Sequence, residues 1–271
     1  MKVILLILAV LVIAYLFLIA PRMLNKPDAA SLMGVHYAHR GLHDNKGEAP
    51  ENSLLSIKKA VEAGYGIEFD VQLTRDRIPV VFHDESLKRV CGAAGNVRDY
   101  TYEELQQFTL LASQERIPLF ADVLAAVDGR VPLIIEIKIH EDPAEVCAKA
   151  DALIAAYKGP YCVESFDSRA VAWYRRNRPQ VIRGQLSANF GTPEKREKIS
   201  EMLVHHLITN VIARPDFIAY DHHAKGNLSR TLCRKLFGAL SVAWTLKSQQ
   251  ALDESRDDFD LFIFEQFIPE S

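Results

Sequence analysis

Hydropathy alone divides the chain in two. Residues 3–20 are an unbroken run of 18 aliphatic and aromatic residues, and from Gly34 onward short β-rich apolar runs alternate with helix-like stretches. The β-rich runs fall at 35–40, 66–74, 79–83, 132–139, 161–166, 181–187, 217–220, 240–246 and 261–264. Helical stretches at 52–63, 143–157, 168–177, 193–208, 228–237 and 248–255 separate most of them; Pro143 and Pro193 suit first helical turns and Asn52 suits an N-cap. Between 66–74 and 79–83 the polar break at Arg75, Asp76 and Arg77 is too short for a parallel crossover, so 79–83 pairs antiparallel with the strand before it. Setting that arm aside leaves eight strands linked by helices. This predicts an α/β fold of the (β/α)8 TIM-barrel type, with the hairpin arm on the mouth where the strands end. The interval 84–131 is too long for a simple connection and is expected to form a small inserted subdomain that shapes access to the mouth.

The apolar run at 3–20 has Lys2 before it and Pro21, Arg22 and Lys26 after it. As a helix rising ~1.5 Å per residue it reaches about 27 Å, enough to cross a bilayer core. Leu18-Ile19-Ala20-Pro21 is a poor cleavage site, because proline follows the only small residue. The expectation is an uncleaved single-pass N-terminal transmembrane helix (1–21), then a short tether (22–33), then the barrel (34–271). Basic residues are nearly balanced across the span, so they set no orientation.

Length and composition agree. A chain of 271 residues, 49% hydrophobic and 25% charged, can build one large domain with a substantial core. A net charge of -3 without a Lys/Arg-rich run argues against nucleic acid as a partner and leaves anion recognition to local groups. Cys91, Cys147, Cys162 and Cys233 are scattered with no C-x-x-C pair, which disfavours a zinc site and a disulfide framework.

The chemistry concentrates at strand ends. Glu68 and Asp70 are two apart on an extended segment and share one face, while Phe69 and Val71 share the other. The returning arm brings His83 roughly opposite Asp70. His39-Arg40-Gly41 follows the first strand and joins an imidazole that titrates near neutrality to a guanidinium able to grip a phosphate. Glu51, in Pro50-Glu51-Asn52-Ser53, either orients His39 or Arg40 or simply opens a helix. Glu136 and Lys138 share a face of a buried strand, as an internal ion pair or as a third carboxylate beside a phosphate contact. Three carboxylates suit Mg2+ or Ca2+, whereas zinc more often recruits histidine or cysteine.

His39-Arg40-Gly41, Pro50-Glu51-Asn52-Ser53, Glu68-x-Asp70, Pro79-Val80-Val81-Phe82-His83-Asp84 and Glu136-x-Lys138, in this order and spacing, resemble the glycerophosphodiester phosphodiesterase family. Gly184-x-Leu186 and Trp244-Thr245 extend the likeness. The resemblance implies a TIM barrel with an inserted small domain and one divalent cation. It also implies hydrolysis of glycerophosphodiesters to glycerol 3-phosphate and an alcohol. By motif, His39 and His83 are the acid-base pair and Glu68, Asp70 and Glu136 the metal ligands. Arg40, Lys138, Glu51 and Trp244 fall at phosphate- or substrate-contacting positions, and His39 is favoured as base with His83 as acid. Two stretches depart from the family pattern: Leu246-Lys247-Ser248, and Glu265-Gln266 at the last strand.

Two alternatives accompany this reading. An anchored enzyme could cleave lysolipids at the bilayer surface in the manner of a lysophospholipase D, with Leu110, Leu111, Ile117, Leu119 and Phe120 meeting an acyl chain or forming the subdomain's own core. A membrane-tethered module could instead bind a phosphodiester without turnover. The neighbouring pairs His205-His206 and His222-His223 lack i,i+4 spacing and read as structural histidines.

Overall fold

All eight positions of β2 (Gly66–Leu73) are buried, because this strand has a core on both faces. Phe69, Val71 and Leu73 join the apolar layer between strands and helices, and the alternate residues Glu68 and Asp70 turn into the barrel. In this computed structural model, which describes residues 1–191 and 198–270, the same logic repeats around a closed ring. The ring comprises β1 (Tyr37–His39), β2, β4 (Leu133–Ile137), β5 (Tyr161–Ser165), β6 (Arg183–Ser187), β7 (Phe217–Asp221), β8 (Leu240–Leu246) and β9 (Leu261–Phe264). Neighbours are parallel, and β1 pairs with both β2 and β9, which closes the barrel. β3 (Pro79–Val81) is the antiparallel arm on β2.

The outer layer is built by α2 (Leu54–Glu62), α5 (Phe120–Val127), α6 (Pro143–Ile154), α7 (Ser168–Asn177), α9 (Asn210–Ala213), α10 (Leu228–Lys235) and α11 (Gln249–Asp253). α8 (Ile199–His205) covers less than the helix expected at 193–208, and Pro193 lies outside the described residues. Pro143 occupies a first-turn position as expected, with the Asp142 side chain capping Ala144 N. Helix α5 corrects the inserted subdomain. It lies within 84–131, yet Phe120, Val123 and Val127 belong to the barrel core, so the insertion ends before it. What remains carries α3 (Lys88–Cys91) and α4 (Tyr102–Leu105) around a small core of its own that includes Leu105, Leu110 and Ile117, each 0% exposed. Leu110, Ile117 and Phe120 are therefore core residues and offer no acyl-binding surface.

The helix α1 (Lys2–Ile19) is exposed from residue 2 to residue 14 and docks only by its end. Residues 22–33 do not hang as a free tether. Arg22 N donates to the Pro215 carbonyl at 2.8 Å, Lys26 Nζ donates to the Gly238 carbonyl at 2.9 Å, and Leu32 is buried beside Tyr37, whose hydroxyl donates to the Leu32 carbonyl at 2.7 Å. Pro215 and Gly238 precede β7 and β8, so this segment closes the barrel floor, opposite the strand ends that carry His39 and Glu136. The four cysteines are free thiols.

Phe69 is 0% exposed, and its ring lies 5.8 Å from that of Phe120. Phe69→Ala is expected to destabilise the barrel by about 3–5 kcal/mol in urea unfolding; a loss below about 1 kcal/mol would contradict the two-sided burial of β2.

Candidate active site

Sheet register assembles the acidic centre. Asp70 stands opposite Glu136 on β4, and Glu136 stands opposite Glu164 on β5, so neighbouring strands present carboxylates at one level of the barrel. Glu68, Asp70 and Glu136 are 3%, 1% and 6% exposed, and one ligand oxygen from each lies within 4.8 Å of the others. Lys138 Nζ bridges two of them, at 3.1 Å from Asp70 Oδ1 and 2.8 Å from Glu136 Oε2. Burial, then the charges of Asp70, Glu136 and Glu164, push Glu68 well above the usual carboxylate range. Burial would also raise Asp70, but Lys138, His83 and Arg40 more than offset it and hold it well below that range. Glu136 is raised by burial, with Lys138 opposing.

The loop after β1 shapes the near wall. Arg40 adopts a positive φ of 56°, its amide donating to the Glu68 carbonyl at 2.7 Å. Gly41 follows at φ 82°, where a Cβ would come within 2.5 Å of Ser56 Oγ, so the turn requires glycine. Arg40 Nη1 donates to Glu51 Oε1 at 2.6 Å. Glu51 also takes two hydrogen bonds from Arg89, and these partners outweigh burial to lower it to about 2. Glu51 thus holds Arg40, not His39. Asn52 is not the N-cap of α2; Ser53 is, accepting from Ser56 N at 3.1 Å. Asn52 instead donates to Asp70 Oδ2 at 2.8 Å and fixes the carboxylate's rotation.

Each predicted histidine has a carboxylate partner. His39 Nδ1 is 2.7 Å from Glu265 Oε2, so it donates there and leaves the Nε2 lone pair on the side of Glu68, 3.8 Å away. Burial lowers His39 to about 4, against the opposing effect of its hydrogen bond to Glu265. Lys247 Nζ holds the other oxygen of Glu265 at 2.9 Å, and His43 Nε2 lies 3.6 Å from Oε2. His83 Nδ1 is 2.6 Å from Asp84 Oδ1, and Arg89 binds the same carboxylate. The hairpin sets Phe82, not His83, against Asp70, since Phe82 N donates to the Asp70 carbonyl at 3.0 Å; His83 is one residue further on.

His39, Arg40, Glu51, Glu68, His83, Glu136 and Trp244 line one cavity of 390 Å³, and Lys138, in contact with Glu136, ties Asp70 to that wall. The indole Nε1 of Trp244 is buried without a hydrogen bond. The nine residues expected from the sequence therefore converge. Missed were Glu265, Glu164, Arg89, Lys247 and the role of Asn52. Only Glu265 and Lys247 carried a signal, as departures from the family pattern.

Residues 39–225 match the model of the glycerophosphoryl diester phosphodiesterase family. The chain belongs to that family. It is 41% identical over 110 residues to the glycerophosphodiester phosphodiesterase of Bacillus altitudinis and 34% identical over 164 residues to YhdW of Bacillus subtilis. These segments are 38% and 57% of this chain and span 44% and 66% of the two relatives. In three dimensions the chain is similar to an Oleispira antarctica phosphodiesterase solved with the product sn-glycerol-3-phosphate. The TM-score is 0.70 at 23% identity, covering 87% of this chain and 94% of that one, which establishes the shared fold.

Three buried carboxylates outnumber the Lys138 ammonium and the Arg40 guanidinium beside them, and every candidate ligand atom is oxygen, so the residues fit a hard divalent cation. Saturating Mg2+ or Ca2+ is expected to raise the thermal unfolding midpoint of the wild type and to leave Glu68→Ala nearly unmoved, read by differential scanning calorimetry. An equal rise in both proteins would place the binding elsewhere.

Proposed function

We propose that the chain is a metal-dependent phosphoric diester hydrolase that converts glycerophosphodiesters to glycerol 3-phosphate and an alcohol, held at a membrane by α1. One observation carries the reading: two carboxylate-paired histidines share a single cavity with Glu68 and Glu136, whose carboxylates cluster with that of Asp70. Glu68, Asp70 and Glu136 would hold Mg2+ or Ca2+, which would supply Lewis-acid polarisation of the phosphoryl group.

The remaining work falls to side chains. Arg40, fixed by Glu51, and Lys138, beside Asp70 and Glu136, offset the phosphodiester's charge as it grows in the transition state. His39 acts as base. Its Nδ1 proton is committed to Glu265, so Nε2 takes the proton from the attacking water or from a neighbouring glycerol hydroxyl; in the latter case a cyclic phosphate forms as the alcohol leaves, and water, deprotonated by His83, then opens the ring as His39 returns its proton to the glycerol oxygen. His83 acts as acid. Asp84 stabilises its imidazolium, which gives the Nε2 proton to the departing alcohol oxygen. The arrangement parallels other triads in which a carboxylate sets a histidine's tautomer without itself taking the proton.

The test is release of glycerol 3-phosphate from glycerophosphocholine by the full-length chain, with and without EDTA. Metal-dependent release lost in Glu68→Ala supports the reading, and metal-dependent substrate binding without product would replace it with the binding-module alternative. His39→Ala and His83→Ala are each expected to lower kcat by ~10²-fold or more while metal affinity is kept; near-normal turnover by either removes that histidine from the mechanism. Glu265→Gln is expected to lower kcat by about tenfold or more with KM little changed, because His39 loses its tautomer control. An unchanged kcat would make the Glu265 contact merely structural.

A further inference from the structure

The register between α1 and α10 fixes which end of the barrel the apolar helix reaches. α10 begins beyond the catalytic end of β7 and descends to the floor, where β8 starts. The hydroxyls of Tyr15 and Ser229 lie 2.8 Å apart near the start of α10, and Cys233 Sγ, one turn lower, donates to the Ile19 carbonyl at 3.3 Å. α1 thus runs in the same sense as α10. Its last turn descends towards Arg22, which meets Asp216 at 3.5 Å, and its exposed residues 1–14 rise past the catalytic rim. The exposed apolar stretch 3–14, bounded by Lys2, is only about 18 Å long, shorter than the ~30 Å hydrocarbon core, so a bilayer entered by α1 comes down onto the rim.

The rim is apolar where this contact falls. Ile199, Met202 and Leu203 of α8 and Leu228 at the start of α10 are 75%, 44%, 37% and 63% exposed. α8 stands at the catalytic end, since Ser187 Oγ at the tip of β6 donates to its Val204 carbonyl at 2.9 Å. Behind α8 is a cavity of 480 Å³ whose apolar wall includes Phe166, Phe190, Leu203, Val204 and Ile212. Phe166 also lines the catalytic cavity, and its ring meets Trp244 at 5.6 Å and Phe190 at 5.8 Å, both edge-on. One aromatic wall therefore joins the two spaces. The guanidinium of Arg169 at the cavity edge is neutralised by Asp167, 2.6 Å away.

We infer that the cavity behind α8 is an acyl-chain subsite, and that α1 and the α8 rim hold the catalytic mouth against the bilayer. A lysophospholipid would enter from that surface with its phosphodiester between His39 and His83 and its chain across Phe166. The inference rests on the phosphodiesterase reading above. A hydrocarbon tail is the occupant that suits a mostly apolar space lined in part by the rim helix α8, and a water-soluble diester uses the catalytic cavity alone.

Two measurements on the full-length chain in lipid nanodiscs test it. Tryptophan reporters at the rim (Met202→Trp) and at the floor end (Arg130→Trp) are compared in brominated lipid, with the wild-type signal subtracted. Strong quenching at Met202 and little at Arg130 is expected; equally weak quenching at both overturns the bilayer-facing mouth. Turnover of palmitoyl-lysophosphatidylcholine and of glycerophosphocholine is then compared between wild type and Leu203→Glu. The charge is expected to cut lysolipid kcat/KM by about tenfold or more and to leave glycerophosphocholine within about twofold. An unchanged lysolipid rate, or parallel loss on both substrates, overturns the subsite. Wild-type hydrolysis of glycerophosphocholine alone overturns the subsite and spares the phosphodiesterase reading, whereas hydrolysis of neither overturns both.

Discussion

The burial of Glu68, Asp70 and Glu136 side by side is the constraint on which the rest of the site depends. Like charges removed from water repel strongly, and each loses hydration that only a fixed counter-charge or hydrogen bond replaces. The surroundings answer that demand residue by residue: Lys138 spans two carboxylates, Asn52 orients Asp70, and Arg40 closes on Asp70 at 3.6 Å while Glu51 holds it from behind. Burial and the neighbouring carboxylates drive the Glu68 carboxyl upward, with only Arg40 opposing them. The charge of a hard dication would complete the set.

The two histidines then differ for a structural reason. His39 is enclosed by the barrel, tied to Glu265 on the last strand, and kept neutral by burial. His83 sits on the hairpin arm at the cavity's outer edge, tied to Asp84 and through it to Arg89 and the insertion. One fold element thus supplies a neutral imidazole facing the acidic centre, and another supplies an imidazole whose charged form has a partner. The insertion contributes through Arg89, which couples Glu51 and Asp84 and so links the supports of Arg40 and His83.

Much of this was legible in the sequence where short-range spacing decides the geometry. Two-residue alternation placed Glu68 and Asp70 on one face and Phe69 and Val71 on the other, and the short link before Pro79 forced the antiparallel arm. The register of that arm was out by one residue, because spacing gives the turn and not the pairing. Asn52 misled because asparagine is equally apt as an N-cap and as a side-chain donor, and Ser53 took the cap. Glu265 was beyond reach as a partner for His39, since 226 residues separate them and only closure of the ring between β1 and β9 brings them together. Helix α5 was hidden because the insertion's own apolar residues blur into those of Phe120–Val127.

The central claim, that the three barrel carboxylates hold one divalent cation, is tested most directly by anomalous diffraction from crystals of this protein soaked in Mn2+. The account predicts a strong peak within about 2.0–2.6 Å of oxygens from Glu68, Asp70 and Glu136 together, with Lys138 displaced from at least one of them. A peak confined to the His39, His43 and Glu265 group, or none inside the barrel at saturating Mn2+, would contradict it.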